Sequence, residues 1–379
     1  MSIVKQERHS GIELLKIIAI VMIVFCHASP IRTPAYLFGP DGLPPYIMQL
    51  GYATDSIQRF IIVLFYYGGS VGNAIFLTCS AWFLLESKGL NIKKVLYIVA
   101  DFFVISVIFL AVFLAGGYSL PIGTIISQFF PITTASNWFI TCYVLFYLTH
   151  PLLNLIIKNL NQRTLLCVDL VIIILYSGIQ VLLPDRLYYS KLIGFICVYF
   201  VIAYVKTYLC NAQKALKANA IILLSSSVCL IALIGMTNYL GLKTQFFSDQ
   251  VIGWWQFMNP LILLIALSSF LLIKNLKFHS KTINYVAGLS MLIYIIHRNE
   301  LVANYLETDA FKFIYETFTY KYELAWVVLC AICLLVGATV LGVVYRETLQ
   351  KAVHKIADWL YKVLTPPCNR VIGWLMKFD

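Results

Sequence analysis

Charge is scarce in this chain: of its 379 residues only 12% are Asp, Glu, Lys or Arg, against roughly a quarter in a soluble globular domain. With 61% hydrophobic residues and a mean hydropathy of +0.85, a fold in water would expose large apolar patches, which excludes a soluble enzyme. Metal-ligand spacing is missing as well. Cys330 and Cys333 form a CxxC inside an apolar run with no second ligand pair nearby, so packing rather than zinc or redox chemistry is expected of them. Cys26, Cys79, Cys142, Cys167, Cys197 and Cys229 also fall in apolar runs, where Cys behaves as a small hydrophobe, and no disulfide framework follows. The net charge of +11 comes without an aromatic-and-basic sheet pattern or finger spacing, so no nucleic-acid partner is expected. The chain also lacks an internal repeat and any low-complexity segment.

What is present is a succession of apolar runs, each near the 20 residues that cross a bilayer as a helix. Charges and turn residues bound ten of them, near 11–29, 60–86, 95–116, 137–157, 165–183, 187–207, 218–240, 254–273, 284–304 and 323–345. The fold class predicted is all-α, a polytopic membrane helix bundle of about ten transmembrane helices. With the N-terminus placed in the cytoplasm, 20 of the 28 Lys and Arg residues lie on that side, in short loops where such an excess sets orientation, so both termini are predicted cytoplasmic. The first run follows basic residues but has no clear small-residue cleavage site, and is predicted to be a retained helix. Residues 1–345 form the membrane-embedded domain in this reading. Residues 346–379 alternate apolar and basic positions around Trp359, Pro366, Pro367 and Trp374, which predicts an amphipathic helix and turn on the cytoplasmic surface. The outer loop near 30–59, with Pro30, Pro34, Pro40, Pro44 and Pro45, is predicted to be an ordered cover or an irregular lid.

Ionisable and polar side chains inside spans are costly and mark function when they face the bundle interior. In the first run Glu13, Lys16 and His27 interrupt an apolar stretch. Lys16 and His27 are eleven residues apart, three turns plus about 20°, so they share a face and stand about 16 Å apart along the axis. Glu13 is placed to pair with Lys16. The structural alternative is that Lys16 snorkels to one interface and His27 sits at the other. In the second run Gly69, Asn73, Phe76 and Ser80 share a face, either a polar site or a small-residue packing seam. Ser290, Tyr294, His297 and Asn304 share a face of the ninth run. Glu300 and Asn304 are read as interfacial caps, His297 as functional. The fourth run opens on Asn137-Trp138 and carries Tyr143 and His150-Pro151. Trp138 and Tyr143 also suit an aromatic belt, and His150 suits a carbonyl freed by Pro151. Asp101 and Asp169 are expected near the cytoplasmic ends of their helices, satisfied by neighbouring Lys or Arg.

Glu13-Leu-Leu-Lys-Ile-Ile-Ala with His27, Asn73-Ala-Ile-Phe-Leu-Thr-Cys-Ser80, Asn137-Trp-Phe-Ile-Thr-Cys-Tyr with His150-Pro151, and Leu289-Ser-Met-Leu-Ile-Tyr-Ile-Ile-His297, taken in order, resemble acyltransferase family 3 of integral-membrane acyltransferases over nearly the whole chain. That resemblance implies transfer of an acyl group, commonly acetyl from acetyl-CoA, to a sugar hydroxyl of a cell-surface polysaccharide or lipid-linked glycan, in a multi-pass protein of the bacterial cytoplasmic membrane. It implies a basic residue and a histidine in the first helix. Lys16 holds the basic position where the family carries Arg, which keeps the charge and loses the bidentate fork. Lys93 and Lys94 stand in the loop where the family has a second arginine pair.

Acyl transfer from a thioester needs a base for the hydroxyl proton and donors for the developing oxyanion. His27 is assigned the base and Lys16, with the basic loops, the anionic end of CoA. Asn73, Ser80, Trp138 and His297 are assigned to substrate binding, with Glu13 as the partner of Lys16. The partners expected are membrane lipid, acyl-CoA and a glycan or glycolipid acceptor. Direct transfer and an acyl-enzyme route both remain open, and a polytopic exporter of lipid or polysaccharide is the alternative function.

Overall fold

The structure, a computed structural model, describes residues 9–29, 57–87, 89–178, 191–241, 259–276, 278–306, 309 and 322–375; the 30–56 part of the expected outer cover lies outside them. The elements are helices throughout, in the order α1 (Ser10–Ala28), α2 (Ile57–Leu84), α3 (Ile92–Ala115), α4 (Ile122–Phe129), α5 (Trp138–Asn159), α6 (Gln162–Ile173), α7 (Lys191–Tyr208), α8 (Cys210–Lys214), α9 (Leu216–Gly241), α10 (Pro260–Lys274), α11 (Lys281–Ala287), α12 (Ser290–His297), α13 (Glu300–Tyr305), α14 (Glu323–Thr348) and α15 (Gln350–Leu375).

Seven of these, α1, α2, α3, α5, α7, α9 and α14, are long and apolar enough to cross a membrane, and each falls on an expected span. The protein is a multi-pass membrane protein. Of the other three expected spans, the fifth and eighth lie partly outside the described residues, at 179–183 and 254–258. The eighth is the shorter apolar α10, with Asn259 capping its first turn through a 2.9 Å bond from the Leu261 amide. The fifth is the twelve-residue α6, which widens into a π-helical turn at Ile174–Gly178. The ninth is not one helix. It breaks at Gly288 and again after His297, where the Asn299 side chain accepts from the Leu301 amide at 3.0 Å and starts α13 afresh.

α1 is the axis of the bundle and packs against α2, α10, α11, α12 and α14. Its N-terminus is fixed by His9, whose ring accepts from the Ile12 amide, and by Ser10, which donates to Asn284 at 2.9 Å and accepts from the Ser280 amide at 2.8 Å. Ala19, Ile20, Ile23 and Val24 are fully buried. α2 approaches unusually closely because two glycines face α1: a Cβ on Gly69 would lie 2.4 Å from Cys26 Sγ, and one on Gly72 2.6 Å from the Ala19 carbonyl. This is the small-residue contact by which membrane helices pack without a hydrophobic driving force.

Asp101 departs from expectation. Its carboxylate, buried in α3, meets no Lys or Arg among the described residues; it accepts from Tyr345 Oη and Gln350 Nε2, both at 2.9 Å, and contacts His354 Nε2 at 3.1 Å. These partners come from the end of α14 and from α15, which folds back antiparallel along α3. Further down the seam Tyr97 stacks on His354 and donates to Asp358, which also pairs with Lys93 at 3.0 Å. Hydrogen bonds from Lys93 and Tyr97 hold the Asp358 carboxyl below its usual range. α15 runs unbroken through Pro366 and Pro367 to Leu375, where a helix and turn were expected over 346–379. Asp169 is buried with Oδ1 unpartnered among the described residues.

Candidate active site

α1 carries two polar clusters, three helical turns apart. At its end, His27 Nδ1 lies 2.9 Å from His297 Nε2, joining the last turn of α1 to the last residue of α12. His297 is 2% exposed, and its Nδ1 lies 2.6 Å from the carbonyl oxygen of Ile293. A carbonyl only accepts, so His297 Nδ1 carries the hydrogen and, in the neutral ring, Nε2 carries the lone pair. His27 Nδ1 must then donate to it. With both rings neutral the remaining lone pair of His27 is on Nε2, the atom that can take a proton. This order of protons also means that His297 has no N–H to offer an oxyanion.

An aromatic cluster borders the pair. Tyr294 stands edge-on to both imidazoles, at 6.2 Å from His27 and 5.5 Å from His297, and its ring packs on Phe139 at 4.9 Å. Trp138 is set between Phe195 and the Lys191 ammonium, 4.4 Å from its ring. Asn137 caps α5 through its Oδ1, leaving Nδ2 buried and unpartnered among the described residues, as is the Ser290 hydroxyl. His150 donates from Nδ1 to the carbonyl of Tyr147, the group that Pro151 leaves without its helical partner; its expected structural role is what the fold gives it.

Beside His297 the break between α12 and α13 carries a polar network that sequence reading missed. Glu300 accepts from Ser127 and from Gln128 Nε2 at 3.2 Å, and Asn299 Nδ2 donates to Gln128 Oε1 at 3.0 Å. Glu300, in the first turn of α13, thereby binds α4. α4 was not anticipated, because its eight residues, set between Pro121 and Pro131, give no span-length signal.

At the other end of α1, Lys16 pairs with Glu13 at 3.0 Å and faces a cavity of about 390 Å³ between α1, α2, α3 and α5. Ser80, Tyr143 and Lys94 share its wall, and Ser80 is hydrogen-bonded to Tyr143. Lys93, one residue earlier, turns to Asp358 and the face of Tyr361, so the basic pair divides between the cavity and the α15 seam. Asn73 lies between the clusters on α2, with its Oδ1 buried and unpartnered among the described residues. The structure thus joins His27 to His297, and Lys16 to Glu13 and Ser80, and leaves Asn73 between the two groups. No group of three or more His, Cys, Asp or Glu side chains able to hold a metal occurs among the described residues.

A family model described as an acyltransferase domain matches residues 9–345, which takes in both clusters and every helix up to α14. Searches of curated proteins and of solved structures give no match.

Proposed function

The chain belongs to this acyltransferase-domain family, and from that premise we propose that it moves acetyl from acetyl-CoA to a sugar hydroxyl of a cell-surface polysaccharide or lipid-linked glycan, in a bacterial cytoplasmic membrane. The observation that carries the reading is a histidine with its Nε2 lone pair fixed by a buried partner, reached along one helix from a polar cavity with two cations in its wall. Acetyl-CoA enters from the cytoplasm at the Lys16 end. Its phosphates meet Lys16 and Lys94, and the arm carries the thioester along α1 to His27, about 16 Å away.

In a direct transfer, the acceptor oxygen bonds to the thioester carbonyl carbon as its proton passes to His27 Nε2. The imidazolium so formed keeps its Nδ1–H on His297, now a charge-assisted bond and a stronger one. The C–S bond then breaks, and the departing thiolate takes the proton back. Neither histidine needs a metal for these proton transfers.

Membranes holding the protein, given acetyl-CoA labelled in the acetyl group, are expected to carry label into a glycolipid or polysaccharide fraction. Label found only in CoA thioester and free acetate overturns the reading, and is the result an exporter would give. Within the same assay Lys16→Met is expected to raise the acetyl-CoA KM about tenfold, the weight of one charged hydrogen bond, with a smaller change in kcat. Lys16→Arg keeps the charge and adds a fork suited to phosphate, so its KM should stay within about threefold of wild type. Equal KM values for all three forms would remove Lys16 from donor binding.

A further inference from the structure

The donor path has a feature that the two clusters do not use. We propose that the Asn73 carboxamide binds the first amide of the donor's pantetheine arm, the amide nearest the thioester; this rests on the acyl-CoA reading above. Asn73 Oδ1 is buried and accepts no hydrogen bond among the described residues. A buried amide oxygen without a donor is rare in native proteins and calls for a ligand or an ordered water.

Its neighbours on α2 give its depth. Gly69, one turn before, packs on Cys26, the residue next to His27. Ser80, two turns after, lines the cavity with Lys16 and Tyr143. Gly69, Asn73, Phe76 and Ser80 share one face of the helix, so Asn73 stands on the line from the cavity to the base, about one turn short of His27. In a pantetheine thioester, the sulfur and two methylenes separate the reacting carbonyl from the first amide. Extended, that is also close to one helical turn. A secondary amide presents one N–H and one C=O, which a carboxamide side chain can meet in both senses.

A packing role accounts for less. Close contact between α1 and α2 is made by Gly69 and Gly72, and neither needs an amide at position 73. Removing a buried polar group that has no partner should not lower stability, so Asn73→Ala is expected to unfold at or above the wild-type temperature.

The test pairs this variant with three acetyl donors: acetyl-CoA, S-acetyl-N-acetylcysteamine, which keeps the first amide, and S-ethyl thioacetate, which has none. Asn73→Ala is expected to lose about fivefold to tenfold in kcat/KM with the first two, the worth of one neutral hydrogen bond, and to track wild type with the third. Equal losses across the three donors, or no loss with any, overturn the assignment. Asn73→Leu, of similar volume, makes the same comparison if the smaller side chain disturbs packing. Wild-type membranes that transfer nothing from acetyl-CoA would instead overturn the donor reading, so the two failures are told apart.

Discussion

His27→Ala is expected to lower acyl transfer about 10²–10⁴-fold, the usual contribution of a general base, in membranes that hold the variant at the wild-type level. The fold should tolerate the change. α1 ends on a backbone bond from Ser29 N–H to the Cys26 carbonyl at 3.2 Å, which does not involve the imidazole. The close α1–α2 contact is made by Cys26 and the glycines of α2, so packing also survives. What the variant loses is the Nε2 lone pair, and with it the acceptor for the hydroxyl proton. Because the base acts in the chemical step, the loss should fall on kcat and leave the acetyl-CoA KM within about threefold of wild type. A variant that keeps more than about a third of wild-type activity would remove His27 from proton transfer.

How much of this was legible in the sequence follows from the range of the interactions. His27, Lys16 and Glu13 stand out in the sequence because charge inside an apolar run is costly enough to need a reason, and the Glu13–Lys16 pair is a contact within one helical turn. His297 stands out on the same ground. Its contact with His27, however, joins residues 270 positions apart, and no periodicity within either helix encodes which faces will meet. The proton order is further from reach still, since it depends on the Ile293 carbonyl. Asp101 shows the same limit from the other side. Neighbouring Lys or Arg were its expected partners, yet the donors come from 345–354 once α15 folds back.

The helix count was read from hydropathy, which marks apolar length but not continuity. α1, α2, α3, α5, α7, α9 and α14 follow the apolar runs closely. The run 284–304 is interrupted by His297, Arg298, Asn299 and Glu300, and it breaks there. The signals were Gly288 at the first break and Asn299 one residue before Glu300 at the second, a glycine and a capping side chain of the kind that end and start helices in water. Hydropathy averaged over a window registers neither signal. The break matters to the site: it ends α12 at His297 and leaves Asn299 and Glu300 to bind α4.

Replacing His297 should separate a positioning role from a substrate-binding one. Its geometry leaves Nδ1–H on the Ile293 carbonyl and Nε2 on His27, so it acts on the substrate through His27 alone. His297→Leu takes away the acceptor for His27 Nδ1–H. The imidazole is then free to carry its hydrogen on Nε2, the tautomer that cannot accept a proton from the acceptor, and the cation formed during transfer has lost its buried partner. kcat is expected to fall about tenfold to a hundredfold, the equivalent of about 1.4–2.7 kcal/mol, with the KM values for donor and acceptor little changed. His297→Gln retains an oxygen that can accept from His27 Nδ1, and should recover much of the loss. A residue that bound the acceptor would behave otherwise: both variants would raise the acceptor KM, and a glutamine that cannot reproduce the imidazole contact would rescue neither constant. A residue that only filled space would be served better by leucine than by glutamine. The order Gln above Leu in kcat, at constant KM, is therefore what an imidazole holding another imidazole in its basic tautomer predicts, and the reverse order would show that the 2.9 Å contact packs the two helices without setting the proton.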